Sequence, residues 1–195
     1  MRDPREVVRH GAVSRASLRS GVDQLLERVA DRQQRIALAL GARCGLRSHK
    51  DLDVAPNHIV DFEVRPMLRV VAGKRDKPRE TPISPILAES IRTGGDVRDA
   101  DVDEPIIDRS TRTLRRWVTN TADLLAEETG DERWSFLSFH DLRRTWAGAL
   151  ANADVDEQVA LLWGGWNDLE TFLEHYRGEA SPAAQRRERG KVDWL

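Results

Sequence analysis

A histidine and an arginine stand three residues apart in SFHDLRRTWAGAL, residues 138–150: His140 and Arg143, with Arg144 directly behind. The leucine, tryptophan and alanines of this stretch fall at helical spacing, so the cations sit where the chain enters an amphipathic helix. A guanidinium is a planar fork that matches carboxylate or phosphate and stays charged at any working pH. An imidazole beside it adds a group that can move a proton. Alone, the motif reads more simply as a solvated helix face with His140 next to the N-cap. Four further residues extend the set: Arg47 in CGLRSHKDL, Lys74 in VVAGKRDKPRETPIS, and Trp166 and Tyr176 in LLWGGWNDLETFLEHY. Tyr176 is the chain's one tyrosine. Each has an ordinary alternative: Arg47 as a surface residue, Trp166 as one of six tryptophans, and Tyr176 beside the apolar stripe of Leu169, Phe172 and Leu173. Taken together, they suit direct attack on a phosphodiester. That reaction needs a nucleophile, a clamp for two non-bridging oxygens and a proton for the leaving oxygen.

The elements that must hold these residues are mostly helical. Residues 1–20 mix Pro, Gly, Ser and charge without an apolar stripe and read as an arm or remnant linker. Leu25, Leu26, Val29, Ile36, Leu38 and Leu40 predict one long helix, with Ser20 as a cap and Gly41 or Gly45 as its end. GLRSHKDLDVAP reads as a turn and a short helix stopping before Pro56. HIVDFEV, MLRVVAG and RETPIS predict a small antiparallel sheet with a charged hairpin at GKRDKP. A helix over about 84–92 follows, and GGDVRDADVDEP reads as a solvated loop. Four helical stretches come next: STRTLRRWVTNTADLLAEETG, HDLRRTWAGALANAD, DEQVALLWGG and DLETFLEHYRG. The predicted fold is α+β: mainly α with a small antiparallel sheet. Residues 21–180 form the main domain and 181–195 a tail that can dock on a neighbouring protomer.

The ordered set resembles the catalytic domain of the tyrosine recombinases, the phage-integrase family. That pattern runs Arg in a T-G-L-R-type turn, Lys in a β-hairpin, His-x-x-Arg, Trp or His after Gly, then Tyr. The resemblance covers roughly residues 25–178. It implies DNA cleavage and religation through a covalent 3′-phosphotyrosine on Tyr176, as in site-specific recombination or integration. Arg47 and Arg143 would clamp the phosphate, His140 would contact it and help take the tyrosine proton, and Lys74 would protonate the leaving 5′-oxygen. Trp166 has a single indole N–H to donate, which suits phosphate contact and packing rather than acid–base work. The implied partner is double-stranded DNA, with self-association as a dimer or tetramer on it. Neither a cofactor nor a metal is called for.

Basic clusters in RPMLRVVAGKRDKPR and RSTRTLRR make Arg75, Lys77, Arg79, Arg112 and Arg115 the expected DNA contacts, which would give strongly salt-dependent binding. The net charge of −2 does not advertise a nucleic-acid binder, but 27 of the 31 basic residues are arginines. That bias, with abundant acids, also fits a GC-rich, salt-adapted host such as a haloarchaeon, or its virus. A single cysteine, Cys44, excludes an intramolecular disulfide framework, and no apolar run is long enough to span a bilayer. A cytoplasmic or nucleoid-associated protein is therefore expected. Three departures from the family pattern stand out. Lys50 occupies the position, three after the first arginine, where an acidic residue is usual. The Trp-to-Tyr interval is ten rather than nine, compatible with cleavage in cis or with delivery of Tyr176 to a neighbour. About twenty residues before the first helix cannot supply the usual N-terminal core-binding domain, so a minimal catalytic module, a piece of a longer protein and a degenerate relative are all compatible expectations. The alternative is a degenerate, non-catalytic DNA-binding module of the same fold.

Overall fold

A computed structural model gives the fold and describes residues 15–71, 78–98, 101–153, 155–170, 172 and 189–190. Among them are helices α1 (Arg15–Glu27), α2 (Arg32–Cys44) and the single turn α3 (Ser48–Asp51). Strands β1 (Ile59–Val60), β2 (Met67–Val70) and β3 (Arg79–Pro82) follow, then α4 (Pro85–Arg98), α5 (Thr111–Thr129), α6 (Phe139–Asn152) and α7 (Glu157–Gly164).

The long helix expected over 20–45 is two helices. Ser20 lies inside α1, and the cap is Asp31, whose carboxylate accepts from the Gln34 N–H at 2.8 Å. Such a cap satisfies a donor that the first helical turn leaves orphaned. From Ile36 to Cys44 every residue of α2 except Arg43 is buried, so this helix runs through the core rather than along its surface. Its main neighbour is α6, and Gly41 permits that approach: a Cβ there would stand 3.0 Å from the Phe139 ring. Helix α4 runs to Arg98, six residues past its expected end. Gly94 and Gly95 are therefore helical, and a Cβ on Gly95 would meet Pro56 at 2.9 Å.

The three strands form one antiparallel sheet in the order β1-β2-β3. Strand β1 keeps only two residues of the expected HIVDFEV segment, and Phe62 and Val64 beyond it are exposed. The register pairs Leu68 with both Ile59 and Thr81, so one sheet face turns inward. Buried Thr81 donates its hydroxyl to the Cys44 carbonyl at 3.2 Å, tying β3 to the end of α2. Cys44 itself is fully buried.

Two apolar clusters hold the chain together. The larger gathers α1, α2, the sheet, α4 and α5, and takes Phe139 and Leu142 from α6. The smaller gathers Trp146, Ala147, Ala160 and Phe172, with Trp163 and Trp166 packed against them. Helix α6 thus spans both clusters, and Arg143 falls between its contributions to each. No described helix is long and apolar enough to cross a membrane.

Two consequences can be measured. Gly45 ends α2 at φ 66°, and a Cβ on it would lie 2.1 Å from the Trp146 ring. Gly45→Ala is expected to lose about 2–5 kcal/mol in a denaturant titration, combining left-handed strain with overpacking. His58 accepts the Ala55 N–H through Nδ1 at 3.2 Å, which requires a neutral ring. Burial, reinforced by the Arg69 guanidinium and partly offset by Asp53, holds its pKa below the ordinary histidine value. The unfolded chain then binds the proton more readily, so stability falls as pH drops below about 6.5 towards the folded-state value. His58→Asn should flatten that part of a stability–pH profile.

Candidate active site

Arg47 is placed by the end of α2. Gly45 turns the chain in the left-handed conformation, Leu46 closes into the core, and Arg47 becomes the extended N-cap residue of α3. Its side chain is half-buried, and His49, one residue into the turn, is exposed. Lys50 points the other way and is only 3% exposed. Its amine donates to the Val71 carbonyl at 2.8 Å and lies 3.5 Å from the Asp53 carboxylate.

The second arginine is placed by α6. Ser138 caps this helix, and the Asp141 carboxylate reaches back to accept from the Ser138 N–H at 3.0 Å and its hydroxyl at 2.5 Å. Asp141 therefore stabilises the helix start, where a negative charge also favours the dipole. His140 is exposed at this first turn. Arg143 is 2% exposed, one turn inward. Its guanidinium donates through Nη1 to the Gly45 carbonyl and through Nη2 to the Gly164 carbonyl, the latter at 2.7 Å. The adjacent Arg144 faces solvent and lies 3.7 Å from Asp141, apart from the group around Arg143.

Trp166 covers the Arg143 fork. The guanidinium carbon lies 4.6 Å from the centre of the indole, a cation–π contact. The indole stacks on Trp146 at 5.8 Å and meets the Phe172 ring edge-on at 4.9 Å. A Cβ on Gly164 would lie 1.8 Å from the Trp166 ring, so only glycine permits this fold-back.

Arg47, His140 and Arg143 line one open cleft of about 410 Å³, together with His49, Arg115 and Thr119. Arg115 and Thr119, four apart on α5, come from the same helix face. The described lining thus holds three arginines and two histidines and no carboxylate. The expected residues Arg47, His140 and Arg143 are brought together, and Trp166 backs the group. Arg112 is exposed at the start of α5. Arg79, expected at DNA, is half-buried: its Nε donates to the Trp163 carbonyl at 2.9 Å, joining β3 to the end of α7. Lys74, Arg75, Lys77 and Tyr176 lie outside the described residues. His49, two residues after Arg47, reads from the sequence as an exposed or structural residue, and Thr119 stands in no motif; only the fold brings α3 and α5 to one rim. Among the described residues, no three His, Cys, Asp or Glu side chains gather as a metal site would need.

Comparison with known proteins places this mainly helical scaffold with its small antiparallel sheet among tyrosine recombinase catalytic-domain folds. Residues 19–181 match the sequence pattern of the phage integrase family, to which this chain belongs. Solved structures share the fold. The XerA recombinase superimposes with a TM-score of 0.66 at 18% identity, over 87% of this chain and 62% of that one. The Tn1549 transposon integrase, in complex with transposon right end DNA, gives 0.68 at 14% identity, over 94% and 66%. The integrase of mycobacterium phage Brujita gives 0.58 at 20% identity, over 91% and 55%. The chain therefore corresponds to less than two thirds of each of these proteins. No curated protein sequence compared with it matches.

The double attachment of Arg143 depends on its fork. Arg143→Lys keeps the charge but cannot hold two carbonyls in one plane. With one buried carbonyl orphaned, it should cost about 1–3 kcal/mol, at about 2–4 °C of melting temperature per kcal/mol. Calorimetry checks this.

Proposed function

We propose that the chain cleaves and rejoins DNA by phosphoryl transfer to Tyr176, the chemistry of site-specific recombination and integration. The observation that carries this reading is the convergence of Arg47, His140 and Arg143 on a single cleft whose described lining has no carboxylate. Such a cleft suits a phosphodiester. Two guanidiniums approach its non-bridging oxygens from different elements, and Arg143 is already oriented before any ligand arrives. Preorganised donors of this kind stabilise charge that develops in the transition state without reorganising at the moment of reaction.

In this mechanism the Tyr176 hydroxyl attacks phosphorus in line with the 5′-oxygen. The bond from phosphorus to tyrosine oxygen forms and the bond to the 5′-oxygen breaks. His140 accepts the tyrosine proton, while Lys74 supplies one to the departing 5′-oxygen. Religation runs the same steps in reverse, with the 5′-hydroxyl of another strand as nucleophile. Trp166 holds the Arg143 fork and offers its one N–H to the phosphate. Arg112 and Arg115 on α5, with Arg75 and Lys77, neutralise flanking phosphates. Tyr176 follows Phe172 by four residues in the sequence, and the Phe172 ring packs on Trp166. Exchange between two duplexes requires more than one copy on DNA, a task to which residues 181–195 can contribute by docking on a neighbour.

The test is a library of nicked suicide duplexes, randomised over the recognition sequence and scored for covalent protein–DNA adducts on denaturing gels. An adduct is expected, and Tyr176→Phe should abolish it. Arg47→Ala should slow its formation roughly 10²- to 10³-fold. A chain that retards the library on native gels yet yields no adduct at any salt would instead be a non-catalytic DNA-binding module.

A further inference from the structure

Lys50 is the buried cation that this chemistry does not use. It stands where the resemblance leads one to expect a carboxylate. Burying a lysine is costly unless its donors are satisfied, and an unbranched apolar side chain would fill the same space without that cost. The amine must therefore do something that a methionine cannot. Its described contacts show what: it joins α3 to the end of β2 through the Val71 carbonyl at 2.8 Å, with Asp53 at 3.5 Å.

The turn it anchors carries Arg47. Helix α3 is four residues long, far too short to hold its own direction. Arg47 is its N-cap residue, without a side-chain capping bond, and the Lys50 N–H donates to the Arg47 carbonyl at 2.7 Å. Backbone and side chain of Lys50 thus link Arg47 to the sheet within one residue. On the other side, Gly45 is held by the Arg143 fork. The backbone at Arg47 runs between these two attachments.

We infer that Lys50 is a positioning residue for Arg47, setting the direction from which its guanidinium meets the phosphate. The inference rests on the phosphoryl-transfer reading. A misplacement of about 1 Å in a phosphate clamp can cost about 10²-fold in rate. The effect should scale with the charge on the phosphate, because that charge is what Arg47 addresses.

The experiment compares two substrates of one sequence, taken from the duplexes that form adducts. One has an ordinary scissile phosphodiester; in the other a methyl group replaces one non-bridging oxygen. The methylphosphonate carries one negative charge fewer and depends less on the clamp. Arg47→Ala is the control: its rate deficit should shrink by at least about tenfold on the methylphosphonate. Lys50→Met should form adduct about 10²-fold more slowly on the phosphodiester, with DNA binding retained, and recover on the methylphosphonate in the same proportion as Arg47→Ala. Lys50→Gln, which keeps a donor for the Val71 carbonyl, should lie between Lys50→Met and the unaltered protein, and serves alone if Lys50→Met does not fold. If Arg47→Ala recovers but the Lys50 variants stay equally slow on both substrates, Lys50 acts through general stability and the inference fails. Full activity of Lys50→Met also overturns it. If Arg47→Ala itself gains nothing on the methylphosphonate, the clamp reading of Arg47 fails instead.

Discussion

The structure turns on one side chain, the Arg143 guanidinium, held by two backbone carbonyls. One belongs to Gly45, at the turn that presents Arg47, and the other to Gly164, just before Trp166. A planar fork can satisfy both acceptors at once, which neither lysine nor an apolar residue can do. Both acceptors are glycines for a reason visible in the packing. Trp146 lies against Gly45 and Trp166 against Gly164, each closer than any Cβ would allow. Three segments far apart in sequence are thereby fixed to one guanidinium, and the tryptophans close over the joint.

This arrangement explains how a chain of net charge −2 presents a cationic site. Positive charge is concentrated by tertiary structure rather than by composition: Arg47 from the N-cap of α3, Arg115 from α5 and Arg143 from α6 meet at one cleft, with His49 and His140 on its lining. The acids near these groups serve other purposes. Asp141 caps α6 and Asp53 lies beside Lys50, so neither opposes a phosphate in the cleft. The two arginines also differ in burial. Arg143 is buried and held by its carbonyl partners, whereas Arg47 is half-buried at the N-cap of a short turn.

The sequence showed the ends of the site better than its middle. Helices α5 and α6 were legible because their apolar residues repeat at helical spacing, with serine in front of each. The order of Arg47, His140, Arg143 and Trp166 was legible as a family pattern. The break between α1 and α2 was not, because the apolar residues from Leu25 to Leu40 read as one continuous pattern, and Asp31, the cap of α2, stands in a charged stretch with no glycine or proline to mark the turn. The extension of α4 was hidden by Gly94 and Gly95, which look like loop residues until Pro56 is seen packing on them. Arg79 read as one more basic residue of a DNA-facing hairpin, yet it spans to Trp163, a contact between positions 84 residues apart. Lys50 could be recognised only as a departure, since the Val71 carbonyl that takes its amine lies 21 residues further along the chain.

The central claim is that Arg47, His140 and Arg143 act on one phosphate with Tyr176 in line. A crystal structure of the chain bound to nicked DNA, with vanadate replacing the scissile phosphate, tests it most directly. The account predicts vanadate in the cleft, its equatorial oxygens about 3 Å from donors on Arg47, Arg143 and His140, and the Tyr176 oxygen at one apex. Vanadate bound on another face, or seated in the cleft with Tyr176 far from the metal, would contradict it.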